Sequence, residues 1–101
     1  MIKIILFVFL LIFSNPIFAD PKKELGLDVY NDKAQCGMCH ALQAAGSEGQ
    51  IGPNLDLLRP SISQVIAAVT NGIGVMPPFE GTLSSEEIEA VAYFVSTSAD
   101  H

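Results

Sequence analysis

"KAQCGMCHAL", residues 33–42, contains both cysteines of the 101-residue chain and one of its two histidines. Cys36 and Cys39 are separated by two residues, and His40 follows at once. Three chemistries can use this arrangement: a reversible disulfide, a structural metal site, or a haem bound covalently through both thiols. The rest of the sequence has to decide among them.

The first 19 residues have the three-part plan of a secretory signal peptide. Lys3 supplies the positive start, residues 4–13 are an uninterrupted apolar run, and Ala19 ends a short segment after a polar break. The apolar run is much shorter than the about 20 residues that a membrane-spanning helix needs. We predict cleavage after Ala19 and an exported, soluble periplasmic domain over residues 20–101, without stable membrane insertion. The alternative is that this segment is not cleaved and anchors the protein to the membrane.

The predicted mature chain is small. Removing 19 of the 101 residues leaves 82, enough for one domain. A domain of this size buries only about 60% of the surface that its unfolded chain exposes, and it usually needs a further stabilising element. A disulfide between Cys36 and Cys39 would close too short a loop to supply one. Something other than a disulfide must therefore complete the core.

The chain is acidic, with 5 Lys and Arg against 11 Asp and Glu. Because Lys3 lies in the signal segment, 4 basic and 11 acidic residues remain, a net charge of −7 with histidine neutral. This balance argues against nucleic acid and against anionic membranes as partners. A partner that docks electrostatically should present a basic or apolar patch, although the charge can equally serve solubility alone.

Apolar periodicity and capping patterns predict an all-α domain with no convincing strand. The three main helices are expected over residues 22 or 23 to about 34, 62 to 71, and 85 to about 96. Ser61 with Gln64, and Ser84 with Glu87, form the capping boxes that begin the second and third helices. Candidate core positions are Ile62, Val65, Ile66 and Val69 in the second helix, and Ile88, Val91, Ala92 and Val95 in the third, joined by Tyr93 or Phe94.

Two connecting segments are rich in glycine and proline. Residues 43–60 predict a wrapped loop with a short helical turn near residues 54–58. Residues 72–81 exclude a helix or a central strand but are unusually apolar for a surface loop.

The disulfide and metal interpretations fit this architecture poorly. A redox Cys-x-x-Cys pair is expected on a strand-to-helix turn of a sheet, and no strand is predicted before Cys36. A structural zinc needs four ligands, whereas the chain offers Cys36, Cys39, His40 and only the terminal His101. C-x-x-C-H is the pattern of covalent haem attachment, in which two thiols bond the haem and the following histidine can ligate its iron.

Two other features can complete such a site. A ligating histidine normally donates its second ring N–H to an acceptor, and the carbonyl of Pro53 could serve; an ordinary Gly-Pro turn is the alternative. Met76 lies on the apolar loop beside two prolines and could be the second iron ligand. A lone methionine is also a common core residue.

The sequence resembles the class I (monohaem) cytochromes c of the small bacterial periplasmic type. The resemblance is carried, in order, by C-x-x-C-H at residues 36–40, GPNL at 52–55, MPPF at 76–79 and the aromatic C-terminal helix. It implies three main helices and short helical turns wrapped around one covalent haem c. Cys36 and Cys39 would form the thioethers, with His40 and Met76 as axial ligands. Gly26, four residues before Tyr30, would lie against the C-terminal helix around Val91 and Tyr93.

By the same resemblance the protein is an electron carrier and not an enzyme. It would shuttle single electrons between a dehydrogenase or respiratory complex and an oxidase or other acceptor, and redox partners would dock at the haem edge near residues 72–79. Arg59, the only arginine, follows the loop from which family members often place a cation against a haem propionate; a solvated surface arginine is the alternative.

Two other functions remain open at this point. The first is a haem-bearing subunit of a periplasmic dehydrogenase, for example a sulfite dehydrogenase. The short loops resemble those of small bacterial cytochromes that accept electrons from such dehydrogenases. The second is a haem enzyme or gas sensor in which Met76 is a labile ligand.

Overall fold

A computed structural model describes residues 20–99. The predicted signal peptide and its cleavage site after Ala19 lie outside the described residues. Within these residues there are four α-helices: α1 Pro21–Asp28, α2 Leu55–Leu58, α3 Ile62–Asn71 and α4 Ser85–Ser98. Two short strands, β1 Ala41–Leu42 and β2 Ser47–Glu48, and two 3-10 turns, Cys36–Met38 and Gln43–Ala45, lie between α1 and α2. Within residues 20–99, no helix combines the length and the apolar character needed to cross a membrane.

The first helical segment has nearly the predicted bounds, but its last turn is π-helical, not α-helical. Asp20 caps α1, its side chain accepting a hydrogen bond from the Lys23 amide at 3.2 Å. After α1 the chain continues in a π-helical turn over Val29–Lys33, in which the Ala34 amide donates to the Val29 carbonyl at 2.8 Å. Such turns are rare and often occur at functional sites. Spacing of apolar residues did not reveal it.

α1 crosses α4 at Gly26. A Cβ atom on Gly26 would lie 2.2 Å from the Ala90 carbonyl oxygen and 2.6 Å from the Phe94 Cβ, so the two backbones approach too closely for any side chain. The predicted crossing with the segment around residues 91–93 is therefore confirmed. The contacts come from Ala90 and Phe94, because residues four apart share one helix face.

Both predicted capping boxes are present. The Gln64 amide donates to Ser61 Oγ at 3.2 Å, while the Ser61 amide donates to Gln64 Oε1 at 2.8 Å. At α4 the corresponding distances between Ser84 and Glu87 are 3.1 and 2.9 Å. Each box satisfies amides that the helix itself leaves without partners. α3 ends at Gly72, whose φ of +74° suits glycine.

The core lies where α1 and its π turn, α3 and α4 meet. The predicted apolar face of α4 is buried, and Phe94 rather than Tyr93 joins it. Tyr93 is half-buried and donates from its hydroxyl to Asp20 Oδ2 at 2.9 Å. Ile62 was expected in the core, but 42% of it is exposed. It is the first residue of α3, so it precedes the turn that packs on the core.

The expectation of no strand is wrong at one place. β1 and β2 form an antiparallel pair in which Ala41 faces Glu48 and Leu42 faces Ser47. Each strand has two residues, too few for alternation in the sequence to reveal it. The resulting hairpin follows His40 directly and packs against the motif.

Candidate functional site

A large cavity lies within the described fold. Its volume is about 900 Å³, toward the upper end of the range of about 300–1,000 Å³ typical of ligand pockets. It is lined by the Cys-x-x-Cys-His segment and by two helices, α3 and α4. Two loops also line it: the one that precedes α2 and the one that follows α3. None of the Asp, Glu, Lys or Arg side chains within residues 20–99 lines it. The space therefore suits a large apolar group.

The two cysteines reach this cavity from a tight turn. Gln35 adopts a left-handed conformation with φ of +52°, which redirects the chain into the 3-10 turn Cys36–Met38. The amides of Cys39 and His40 both donate to the Cys36 carbonyl, at 3.1 and 3.0 Å. Cys36, Cys39 and His40 consequently line the same cavity.

The imidazole of His40 is seated on the backbone of residues 52–53. Its Nδ1 lies 2.7 Å from the Pro53 carbonyl oxygen. Because a carbonyl can only accept, Nδ1 carries the proton and Nε2 has the free lone pair. A Cβ atom on Gly52 would lie 2.6 Å from His40 Cε1, so this position must lack a side chain. The ring is thus oriented as expected for a histidine that ligates a metal through Nε2.

Met76 reaches the cavity from the loop between α3 and α4. The amide of Ile73 donates to the Met76 carbonyl at 3.1 Å, and the Met76 amide donates to the Ile73 carbonyl at 2.9 Å. Gly72 and Gly74, with φ of +74° and +56°, allow this closed turn. The amide of Phe79 donates to the Val69 carbonyl at 2.8 Å, which fastens the far end of the loop to α3. Met76 is half-buried and packs against the core.

Burial of the Cys36 thiol disfavours a redox disulfide. Burial raises the pKa of the Cys36 thiol to about 11. The thiol is therefore protonated at neutral pH, whereas a redox Cys-x-x-Cys pair needs a thiolate with a lowered pKa. Residues 20–99 also contain no group of three or more His, Cys, Asp or Glu side chains placed to hold a metal ion.

Arg59 does not reach the cavity. It caps the C-terminal end of α2 with φ of +50° and is exposed, although its neighbours Leu58 and Pro60 line the wall. The structure thus places Arg59 beside the site without a contact inside it.

Sequence reasoning missed the packing role of the glycines after the motif. A Cβ atom on Gly49 would lie 2.6 Å from the carbonyl carbon of Cys39 and 2.7 Å from the His40 amide nitrogen. Gly52 meets the imidazole in the same way. The sequence signal was the glycine content of residues 43–60, which predicts a loop but does not indicate what each glycine contacts.

The residues around the cavity fit a covalently attached haem. A planar apolar ring held by two thiols matches the volume and the uncharged walls. His40 and Met76, 36 positions apart in the sequence, line the same space as both cysteines. A nitrogen and a thioether sulfur are a known axial pair for haem iron.

Comparison with known proteins identifies the family. Residues 22–95 match the family model described as "Cytochrome C oxidase, cbb3-type, subunit III". Cytochrome c6 of Leptolyngbya boryana is 34% identical over 74% of this chain and 91% of its own. Cytochrome c6 of a Synechocystis species is 31% identical over 89% of this chain and 82% of its own.

A solved structure is also similar, the crystal structure of the c-type cytochrome SorU from Sinorhizobium meliloti. It superimposes with a TM-score of 0.76 at 47% sequence identity, covering 80% of this chain and 94% of that one. The cavity, the C-x-x-C-H turn and these relatives lead to one conclusion: the chain belongs to the cytochrome c domain family and is a monohaem class I cytochrome c with covalently bound haem c.

Proposed function

We propose that Cys36 and Cys39 hold the haem by thioether bonds and that His40 and Met76 ligate its iron. In each thioether, a thiol adds across a vinyl group, so the sulfur bonds one carbon and the hydrogen is transferred to the other. The observation that carries the proposal is the seating of His40: Nδ1 is committed to the Pro53 carbonyl at 2.7 Å, which reserves Nε2 for iron. When bound, the haem supplies a one-electron Fe(II)/Fe(III) couple.

Two protein ligands leave no open position for a substrate at the iron. Met76 is held by a closed turn and by core packing, so its side chain is well placed to remain bound in both oxidation states. These features support electron transfer without catalysis, and they argue against a gas sensor or haem enzyme, which needs a free coordination position.

Redox partners are proposed to dock at the mouth of the cavity. Five of its lining residues are large exposed apolar side chains, which we call the apolar rim: Met38, Ile51, Leu58, Ile73 and Val75. Val75 is 88% exposed. No Asp, Glu, Lys or Arg of the described residues lines the same cavity. A partner that fits this surface needs an apolar contact patch, not a ring of opposite charges.

We place the carrier in the periplasm, on the strength of the signal-like residues 1–19. Its donor would be a periplasmic dehydrogenase, with a sulfite dehydrogenase as one example, or a respiratory complex. Its acceptor would be an oxidase or another haem protein. The likeness to the c-type cytochrome SorU supports a small bacterial carrier of this kind.

A fixed subunit of a larger complex is the second candidate. The matching family model is described as a subunit of an oxidase, and Leu57 is 82% exposed without lining the cavity. A fixed subunit would elute with its catalytic partner at high salt, whereas a free carrier would elute alone. Size-exclusion chromatography of the native periplasmic fraction distinguishes the two.

A methionine substitution tests the ligand assignment. Met76→Leu should abolish the long-wavelength methionine-to-iron charge-transfer band of the oxidised protein and should allow CO to bind the reduced form. Met38→Leu is the matched control, because Met38 is 70% exposed at the rim and should leave the band unchanged. Persistence of the band in Met76→Leu, or fast CO binding by the unmodified protein, would overturn the assignment.

A further inference from the structure

Tyr30 connects the helix crossing to the hairpin that follows His40. It lies in the π-helical turn and is fully buried. Its ring meets Phe94 of α4 edge to face, with 5.8 Å between the centroids. Its hydroxyl oxygen lies 2.8 Å from Ser47 Oγ and 3.5 Å from the His40 carbonyl oxygen. One end of Tyr30 therefore packs on the helices and the other contacts the segment around the haem ligand.

Ser47 links the Tyr30 hydroxyl to the hairpin through a second hydrogen bond. The amide of Leu42 donates to Ser47 Oγ at 3.0 Å, so the serine hydroxyl joins β1 to β2 in addition to the strand pairing. A Cβ atom on Gly37 would lie 2.7 Å from the Ser47 Cβ. Ser47 therefore packs closely against the 3-10 turn of the cysteine motif.

The residues after Ser47 hold the motif by three backbone contacts. The amide of Gly49 donates to the His40 carbonyl at 3.2 Å, and the amide of Gly52 donates to the Cys39 carbonyl at 2.7 Å. The Pro53 carbonyl accepts from His40 Nδ1 at 2.7 Å. Any shift of residues 47–53 along the motif would change all three contacts together.

We propose that the Tyr30–Ser47 hydrogen bond positions the His40 ligand, by holding residues 47–53 in register so that the Pro53 carbonyl stays on His40 Nδ1. Tyr30 and Ser47 act through that segment and are positioning residues. This inference rests on the proposed ligation of iron by His40.

The role has an electronic consequence. A carbonyl that accepts from the Nδ1–H of a ligating histidine makes the imidazole a more basic ligand, which favours Fe(III) over Fe(II). Loosening that hydrogen bond should therefore raise the reduction potential. A residue that only contributes to stability would leave the potential unchanged.

The test compares two Tyr→Phe variants of the haem-loaded protein. Tyr30→Phe removes the hydroxyl but keeps the buried ring, whereas Tyr93→Phe removes a hydroxyl that bonds Asp20, away from the motif. Tyr30→Phe should at least double the equilibrium constant for reduction, about 18 mV at 59 mV per tenfold change. Exchange of the His40 Nδ1 proton with solvent, measured by NMR in the reduced protein, should accelerate about fivefold, the factor expected for the loss of one neutral hydrogen bond.

Ser47→Ala is the second variant and should shift both measurements in the same direction. If the hydrogen bond is the operative contact, the double variant should shift the potential no further than the larger single change. If Tyr30→Phe yields no haem-loaded protein, Ser47→Ala alone decides the question by the same two measurements.

Two results would overturn the inference. One is an unchanged potential and an unchanged exchange rate in Tyr30→Phe and Ser47→Ala; the other is an equal shift in Tyr93→Phe. Failure of the underlying assignment is separately visible, because the unmodified protein would then lack a histidine-ligated haem spectrum before any variant is measured.

Discussion

Gly52 and His40 are in direct contact: the space that a side chain on Gly52 would need is occupied by the imidazole. A Cβ atom there would lie 2.6 Å from Cε1 and 2.9 Å from Nδ1 of the ring. The next residue, Pro53, accepts the hydrogen bond from Nδ1. The orientation of the proposed haem ligand thus depends on a main-chain segment with no side chain at its closest point.

Substituting Gly52 should therefore disturb the haem. Gly52→Ala is expected to displace the imidazole, to lower the yield of haem-loaded protein and to change its absorption spectrum. Gly46→Ala is the control: nothing lies within 4 Å of its Cβ position, but its φ is +67°. It should cost about 1–2 kcal/mol of unfolding free energy for the left-handed conformation and leave the spectrum unchanged. An unperturbed spectrum in Gly52→Ala would refute the steric argument.

Gly26→Ala distinguishes helix propensity from packing by the sign of its effect. Propensity alone predicts about 1 kcal/mol of added stability in α1. The Ala90 carbonyl oxygen, 2.2 Å from the new Cβ, predicts instead a loss of about 1–3 kcal/mol or more from overpacking. Denaturant unfolding of the haem-loaded protein measures the difference. A stabilised variant would show that the helices separate at little cost.

A charge on the apolar rim should slow electron transfer between copies. Val75→Asp places a carboxylate on a side chain that is 88% exposed and lines the cavity. In self-exchange between oxidised and reduced protein, two such rims would meet, and like charges in contact should lower the rate at least about tenfold. Leu57→Asp adds the same charge at an 82% exposed position outside the cavity and should have a much smaller effect. NMR line broadening in mixtures of the two oxidation states gives both rates. Equal slowing in the two variants would show that net charge, not the rim, governs the encounter.

The ion pair between Lys33 and Glu87 predicts a pH range of greatest stability. The hydrogen bond with Lys33 lowers the pKa of Glu87 below its usual 4.5, and the same contact raises the pKa of Lys33 above its usual 10.5. The contribution of Glu87 is thus present above pH 4.5 and is lost as the pH falls through its lowered value. That of Lys33 is complete below pH 10.5 and is lost as the pH rises through its raised value.

Glu87→Gln should flatten the acid limb of the stability profile, whereas Glu86→Gln, exposed on the same turn of α4, should leave it nearly unchanged. Unfolding midpoints measured from pH 3 to 7 on the haem-loaded protein test this. An acid limb that is identical in Glu87→Gln and the unmodified protein would contradict it.

Local sequence patterns were sufficient to predict the main helices and to identify the haem-binding motif. The capping boxes at Ser61 and Ser84 begin α3 and α4 as predicted, because a cap depends on residues three apart in the chain. The resemblance to the class I cytochromes c likewise follows from short motifs in a definite order, and the family comparison confirms it. The glycine at position 26 indicated a helix crossing because it has no local advantage in a helix.

Other features depend on contacts between distant residues. Arg59 caps the C-terminal end of α2 and does not line the cavity, and its contact with a haem propionate stays a prediction. The β1–β2 pair, the π turn at Tyr30 and the contact of Gly49 with the motif have no period or motif that marks them.

The sequence by itself determined the family, the covalent haem and the candidate ligands, because the spacing of Cys36, Cys39 and His40 and the residues around Met76 are short-range properties. Only the tertiary structure decided how His40 is oriented and what surrounds the cavity. Those properties depend on where residues 47–53 lie relative to the motif, and that placement is set by packing between Tyr30, the hairpin and α4.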